Sequence, residues 1–144
     1  MVSSVSGVRR RGRELALQAL YQIEITGDAS VAAVDFFLNH FEGKLKAKEF
    51  ARRLVSGVVS QSTEIDRLIE GCAEHWRLMR MAKVDLVIMR MATYELVFCP
   101  DIPAAVSLDE AIEISKRYSA GESAAFINGV LDQIARSSVK AEPS

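Results

Sequence analysis

The sequence has few of the residues that mark secreted, membrane-spanning or strand-rich proteins. Its 144 residues include only two cysteines, Cys72 and Cys99, which are too few for a secreted scaffold built on disulfides. The first proline is Pro100, and no run alternates apolar and polar residues as a half-buried strand does. Neither a secretory signal nor an apolar run long enough to span a bilayer is present. We therefore expect a reduced, cytoplasmic protein that is built from helices and has no membrane partner.

The residue patterns of most enzymes and metal sites are also missing. The two histidines, His40 and His75, are far apart in sequence, and no Cys or His has a neighbour at metal-ligand spacing. Neither a glycine-rich phosphate loop nor a nucleophile elbow occurs. We expect no catalytic residues, no metal and no cofactor.

Apolar residues spaced three and four apart fill the chain and predict an all-α fold of about seven helices. The fifth is apolar on nearly every side, which predicts a central, buried helix. Ser107 and Glu110 have the spacing of a capping box at the start of the sixth. The predicted helices run from about 8–11 to Gly27, over about 31–41, from about 47 to a polar break at 60–63, through 65–72, and over roughly 84–98, 107–118 and 123–138.

The length fits one domain over residues 1–144. Within it we expect a basic arm over residues 1–13 and two packed subdomains of the three-helix type. The first subdomain is predicted over about 8–73 and the second over about 75–138, followed by a frayed tail over 139–144.

Positive charge is concentrated in the arm. Arg9, Arg10, Arg11 and Arg13 precede the first acidic residue, whereas the other 14 basic residues face 19 acidic ones. Guanidinium groups bind phosphates through paired hydrogen bonds and stack on bases. Positive charge at a helix N-terminus interacts unfavourably with the helix dipole. If the arm were only solvated, this loss of helix stability would have no compensating function. The arm therefore favours nucleic-acid binding, and we expect replacement of Arg10 and Arg13 by alanine to leave the melting temperature unchanged.

Three other positions stand out, and the first of them has a functional as well as a structural interpretation. Phe126, four residues after Glu122, lies beside the apolar stripe of the last helix, where it either covers the helix end or stacks on an RNA base. Without further information, the sequence favours the packing interpretation of Phe126 over RNA stacking. Trp76 is expected in the core, and Gly129 is expected where a neighbouring helix approaches closely.

Four sequence blocks carry a family resemblance. They are RRRGRELALQALY at 9–21, MRMATYEL at 89–96, Ile102-Pro103 followed by DEAIEISK at 109–116, and FINGVLD at 126–132. Each block is modest alone, but in this order and spacing they resemble the NusB family of bacterial transcription antitermination factors. The resemblance implies an all-helical fold of two three-helix-type bundles.

The resemblance also implies a function and a set of site residues. It implies binding of boxA-type single-stranded RNA in ribosomal RNA transcripts, as a heterodimer with NusE, a small-subunit ribosomal protein. It further implies association with the RNA polymerase elongation complex, antitermination and support of ribosomal RNA maturation. Arg90 matches a family arginine with a structural or interface role. The resemblance assigns RNA binding to Arg9, Arg10, Arg11, Arg13, Glu122 and Phe126, and NusE binding to Tyr21 and Asp85.

The chain departs from the family pattern at several places, two of which bear on the predicted RNA contacts. Gly12 stands where alanine is common, and we expect it to loosen the helix start so that the arm orders on RNA. Ala124-Ala125 replaces a more basic or proline-containing pair and is expected to weaken RNA contacts near Phe126. The alternative is a helical interaction or dimerisation module without specific RNA binding. The sequence leaves open whether the free protein is a monomer or self-associates.

Overall fold

The computed structural model describes residues 4–73 and 81–138, with side chains from residue 7 onwards. Over these ranges the chain forms seven helices and no strand, which confirms the predicted fold class. None of the described helices is long and apolar enough to cross a membrane. Trp76 and the tail over 139–144 lie outside the described residues. The helices are α1 (Ser4–Thr26), α2 (Val31–Leu38), α3 (Leu45–Ser60), α4 (Ser62–Cys72), α5 (Lys83–Phe98), α6 (Ala104–Tyr118) and α7 (Ser123–Ser137).

The chain divides into two compact units, Met1–Val59 and Ser60–Ser144. The first contains α1, α2 and α3, and the second contains α4 to α7. The predicted boundary lies near residue 73, whereas the observed units divide between Val59 and Ser60, at the end of α3. The physical reason is that α4 packs against α5 and α7 and so belongs with the second unit.

In the first unit, short polar residues set the helix ends. Gly27 ends α1 with a φ of 77°, and its N–H donates to Ile23 O at 2.7 Å, as expected for the predicted C′ position. The Ser30 side chain caps α2 by accepting from the Ala33 N–H at 3.2 Å. The backbone and hydroxyl of Ser30 donate to Asp28 and hold the pKa of that carboxyl below its usual value.

In the second unit, α5 is the central helix. Ten of its residues are buried, and it packs against α4, α6 and α7. This confirms the predicted central, buried helix for this unit. A paired contact joins α4 to α5, because Arg90 Nε and Nη2 donate to the two carboxylate oxygens of Asp66 at 2.8 and 3.0 Å. Both side chains are mostly buried.

The predicted capping box at the start of α6 is wrong. The helix starts at Ala104, directly after Pro103, so Ser107 lies one turn inside it. The Ser107 hydroxyl donates to Glu95 Oε1 at 2.9 Å, and both side chains are buried. A polar contact between α5 and α6 therefore replaces the expected contact within α6, because the helix already begins three residues before Ser107, directly after Pro103.

Candidate nucleic-acid and partner interface

The arginine motif lies within a continuous helix rather than in a loose arm. α1 begins at Ser4 and runs unbroken through Gly12, so the expectation that this glycine loosens the helix start is wrong. The reason is the packing of α1 on α3. A Cβ at Gly12 would lie 2.8 Å from Ala47 O and 2.9 Å from Phe50 Cδ2, which is closer than side-chain contacts allow. Gly12 therefore permits the two helices to touch through their backbones.

Arginines from both helices surround one aromatic ring on α3. The guanidinium carbons of Arg9 and Arg13 lie 4.9 and 5.2 Å from the centroid of Phe50. That of Arg53, one turn further along α3, lies 5.9 Å from the same centroid. These distances fall in the range of cation–π attraction. We call these four residues the Phe50 cluster. In the sequence Phe50 is one member of an ordinary apolar stripe. Only the basic residues on both sides of it in α3 indicate that its ring contacts arginines.

The four arginines of the motif differ in exposure. Arg10 is exposed, Arg9 and Arg11 are half-buried, and Arg13 is only 2% exposed. Arg11 Nη2 donates to Glu42 O at 3.0 Å, which ties α1 to the loop before α3. Because Arg13 packs in the Phe50 cluster, its replacement by alanine removes buried contacts. We therefore revise the expectation for the double variant: the Arg13 change lowers the melting temperature, and only the Arg10 change leaves it unchanged.

Glu122 and Phe126 lie in the second unit, at the start of α7. Glu122 is exposed at the N-cap position, and Phe126, one turn later on the same side of the helix, is half-buried. A carboxylate is electrostatically favourable at this end of a helix. The structure therefore brings these two residues together, whereas the arginines belong to the first unit.

The two residues predicted to face NusE have different environments. The Tyr21 side chain is 41% exposed on α1, in the first unit. Asp85, in the first turn of α5, is only 8% exposed, and its Oδ2 accepts from Ser123 Oγ at 2.7 Å. Its Oδ1 is buried without a hydrogen-bond partner among the described residues. Asp85 therefore joins the first turn of α5 to the start of α7.

An apolar groove of about 420 Å³ lies between α1 and α2. Ile23, Val34 and Phe37 contribute to its walls, and Phe36 at its edge is 69% exposed. Tyr21 does not line this groove.

The surroundings of Gly129, on α7, are open, since no described atom lies within 4 Å of a Cβ placed there. The close helix approach predicted at Gly129 is therefore wrong.

Comparison with known sequences gives consistent matches. A sequence model of the NusB family matches residues 10–136. The transcription antitermination protein NusB of Desulfatibacillum aliphaticivorans is 48% identical over 128 residues, which cover 89% of this chain and 90% of that protein. The NusB protein of Geobacter sulfurreducens is 46% identical over 130 residues, which cover 90% and 94% respectively.

Comparison with solved structures gives the same fold. T. maritima NusB superposes with a TM-score of 0.81 at 42% identity, covering 90% of this chain and 92% of that one. A chain in the crystal structure of the antitermination factors NusB and NusE in complex with dsRNA gives a TM-score of 0.80 at 25% identity. That match covers 90% of this chain and 97% of the other.

Proposed function

Because the chain belongs to the NusB family, we propose that it is a non-enzymatic transcription antitermination factor that binds boxA-type single-stranded RNA together with NusE. The observation that carries this proposal is the arginine motif, which α1 holds as a preformed basic surface on the first unit. The solved complex of a structural relative with NusE and dsRNA supports NusE and RNA as partners. In this proposal the heterodimer acts in the cytoplasm on ribosomal RNA transcripts, joins the RNA polymerase elongation complex and supports ribosomal RNA maturation.

The RNA-binding residues are proposed to have different tasks. Arg10 and the half-buried Arg9 and Arg11 contact phosphates, because guanidinium groups bind phosphate oxygens through paired hydrogen bonds. Phe126 stacks on a base, and Glu122 accepts a hydrogen bond from a base amino group. Since a carboxylate repels phosphates, Glu122 favours one position of the RNA over its neighbours.

The alternative, an interaction module without specific RNA binding, is favoured by one observation. The apolar groove between α1 and α2 and the exposed Phe36 are features of protein-binding surfaces. The two functions differ in their response to salt. Neutralising phosphates of a single strand gives a log–log slope of about −0.7 per phosphate, whereas apolar docking depends little on salt.

Replacing Arg10 by glutamine is expected to weaken RNA binding about fivefold and to reduce the magnitude of the salt slope by about 0.7, since one phosphate contact is lost. Fluorescence anisotropy with a labelled boxA-type RNA and a scrambled RNA, with and without NusE, measures both quantities. Arg136→Gln is the matched control, because that side chain is 79% exposed at the far end of α7. Equal slopes for the two variants would remove the arginine motif from the RNA surface.

Replacing Tyr21 by alanine is expected to weaken NusE binding several-fold and to lower the melting temperature of the free protein only slightly, because the residue is 41% exposed. Tyr118→Ala is the control, since this ring is 37% exposed on α6 of the second unit. Titration calorimetry with NusE compares the two variants. NusE binding at full strength by Tyr21→Ala would contradict the proposed partner surface. Asp85 is less suited to this test, because its replacement also removes the contact to Ser123.

A further inference from the structure

We infer that the RNA-binding surface of the first unit continues from α1 onto α3, where Arg53 and Lys46 bind further phosphates of the same single strand. This inference rests on the proposed function and extends it to residues outside the arginine motif. Its basis is the contact between the motif and α3 at Phe50.

The Phe50 cluster makes α1 and α3 one basic surface. Arg9 and Arg13 from α1 and Arg53 from α3 all lie within 6 Å of one ring centroid, so their guanidinium groups share a small area. An aromatic face reduces the cost of holding several cations together. A phosphate bound by Arg9 therefore has Arg53 as the neighbouring cation on α3.

The helix geometry of α3 places Lys46 on the same side. Lys46 lies four residues before Phe50 and Arg53 lies three residues after it, and these spacings put all three on one face. Lys46 is exposed and Arg53 is half-buried, whereas Ala47 and Leu54 are buried against the rest of the unit. Long basic side chains pack their stems and keep the charged ends in water. Lys46 is therefore an exposed cation next to the cluster, on the same face of α3 as Arg53.

The charge distribution of the first unit agrees with this surface. Residues 14–43 contain no Lys or Arg, whereas residues 44–53 contain five, with Glu49 as the single acidic residue. In the first unit, positive charge is thus confined to the start of α1 and to Lys44 and the first half of α3, and Gly12 and Phe50 bring these two helices into contact. A nucleic-acid backbone is the partner whose charge matches a surface of this kind.

Arg52 provides a matched control, because it is adjacent in sequence but on another side of α3. Its Nε donates to Asp35 Oδ1 at 2.6 Å, so this guanidinium is held toward α2. Arg53→Gln and Arg52→Gln each remove one positive charge, from different faces of α3, and Arg52→Gln also breaks the contact to Asp35. A general electrostatic effect would therefore appear in both variants.

The experiment is a salt titration of the labelled boxA-type RNA by anisotropy, with thermal unfolding of each variant as the folding control. Arg53→Gln is expected to weaken binding about threefold or more and to lower the magnitude of the log–log slope by about 0.7, as is Lys46→Gln. Arg52→Gln is expected to keep the slope of the unsubstituted protein. Arg53→Lys, which retains the charge, is also expected to keep it.

The outcomes separate this inference from the proposed function. If Arg10→Gln weakens RNA binding but Arg53→Gln and Arg52→Gln behave alike, the RNA surface ends on α1 and the inference is overturned. If Arg53→Lys loses the slope as Arg53→Gln does, the effect is structural and the inference is also overturned. Absence of RNA binding by the unsubstituted protein at low salt would overturn both the inference and the proposed function.

Discussion

Replacing Gly12 by alanine is expected to destabilise the protein by about 2 kcal/mol, because it overpacks the contact between α1 and α3. The new methyl group would lie 2.8 Å from Ala47 O and 2.9 Å from Phe50 Cδ2. A backbone oxygen inside a helix cannot rotate away as a side chain can, so the two helices must separate. Alanine is otherwise the better helix former by about 1 kcal/mol, and the expected loss has the opposite sign.

Gly129→Ala is the control for this prediction, since Gly129 is also inside a helix but no described atom lies within 4 Å of its Cβ position. That change is expected to stabilise the protein by about 0.5–1 kcal/mol. Urea unfolding of both variants measures the difference. Changes of the same sign would show that the contact at Gly12 accommodates a methyl group.

The Gly12 change is also expected to weaken RNA binding, although it removes no charged group. Separation of α1 from α3 moves Arg9 and Arg13 away from Phe50 and takes apart the Phe50 cluster. Anisotropy at a temperature well below the melting transition tests this. Unchanged affinity in a destabilised variant would indicate that the arginines bind RNA independently of α3.

The helix ends were predictable where a single residue dictates the local backbone. Gly27 ends α1 because its φ of 77° suits glycine, and Gln61, within the predicted polar break, separates α3 from α4. α2 ends at Leu38, earlier than predicted, because His40 and Phe41 bond to carbonyls three residues before them instead of four. Apolar periodicity continues through that tighter turn and does not reveal it.

The contacts that build the site were not predictable, because they join residues distant in the chain. The family resemblance identifies Arg13 as an RNA-binding residue, but only the packing of α1 on α3 reveals that its side chain is buried beside Phe50. Ser107 has the spacing of a capping residue, yet Pro103 starts the helix and Ser107 bonds to Glu95. The spacing of residues in the sequence predicts the helices. The hydrogen-bond partner of a polar side chain depends instead on which helices pack against each other.

Arg90 illustrates the same limit, and the structure assigns it a structural role that can be tested. Replacement of Arg90 by methionine is expected to destabilise the protein by about 2 kcal/mol, because it leaves the Asp66 carboxylate unpaired. Removing one partner of a fully buried pair costs about 3–5 kcal/mol, and an exposed pair contributes about 0–1 kcal/mol. With side chains 18% and 27% exposed, Arg90 and Asp66 lie between these limits.

A double-mutant cycle separates the pair from its surroundings. Arg90→Met, Asp66→Asn and the double variant are unfolded in urea, and the double variant is expected to lose about 1–2 kcal/mol less than the two single losses together. Arg67→Met is the control, because its pair with Glu64 is exposed on α4, and we expect its unfolding to be nearly unchanged. Additive losses would show that the two side chains do not interact. If Arg90→Met also weakened NusE or RNA binding at temperatures where it is fully folded, Arg90 would have an interface role in addition to joining α4 to α5.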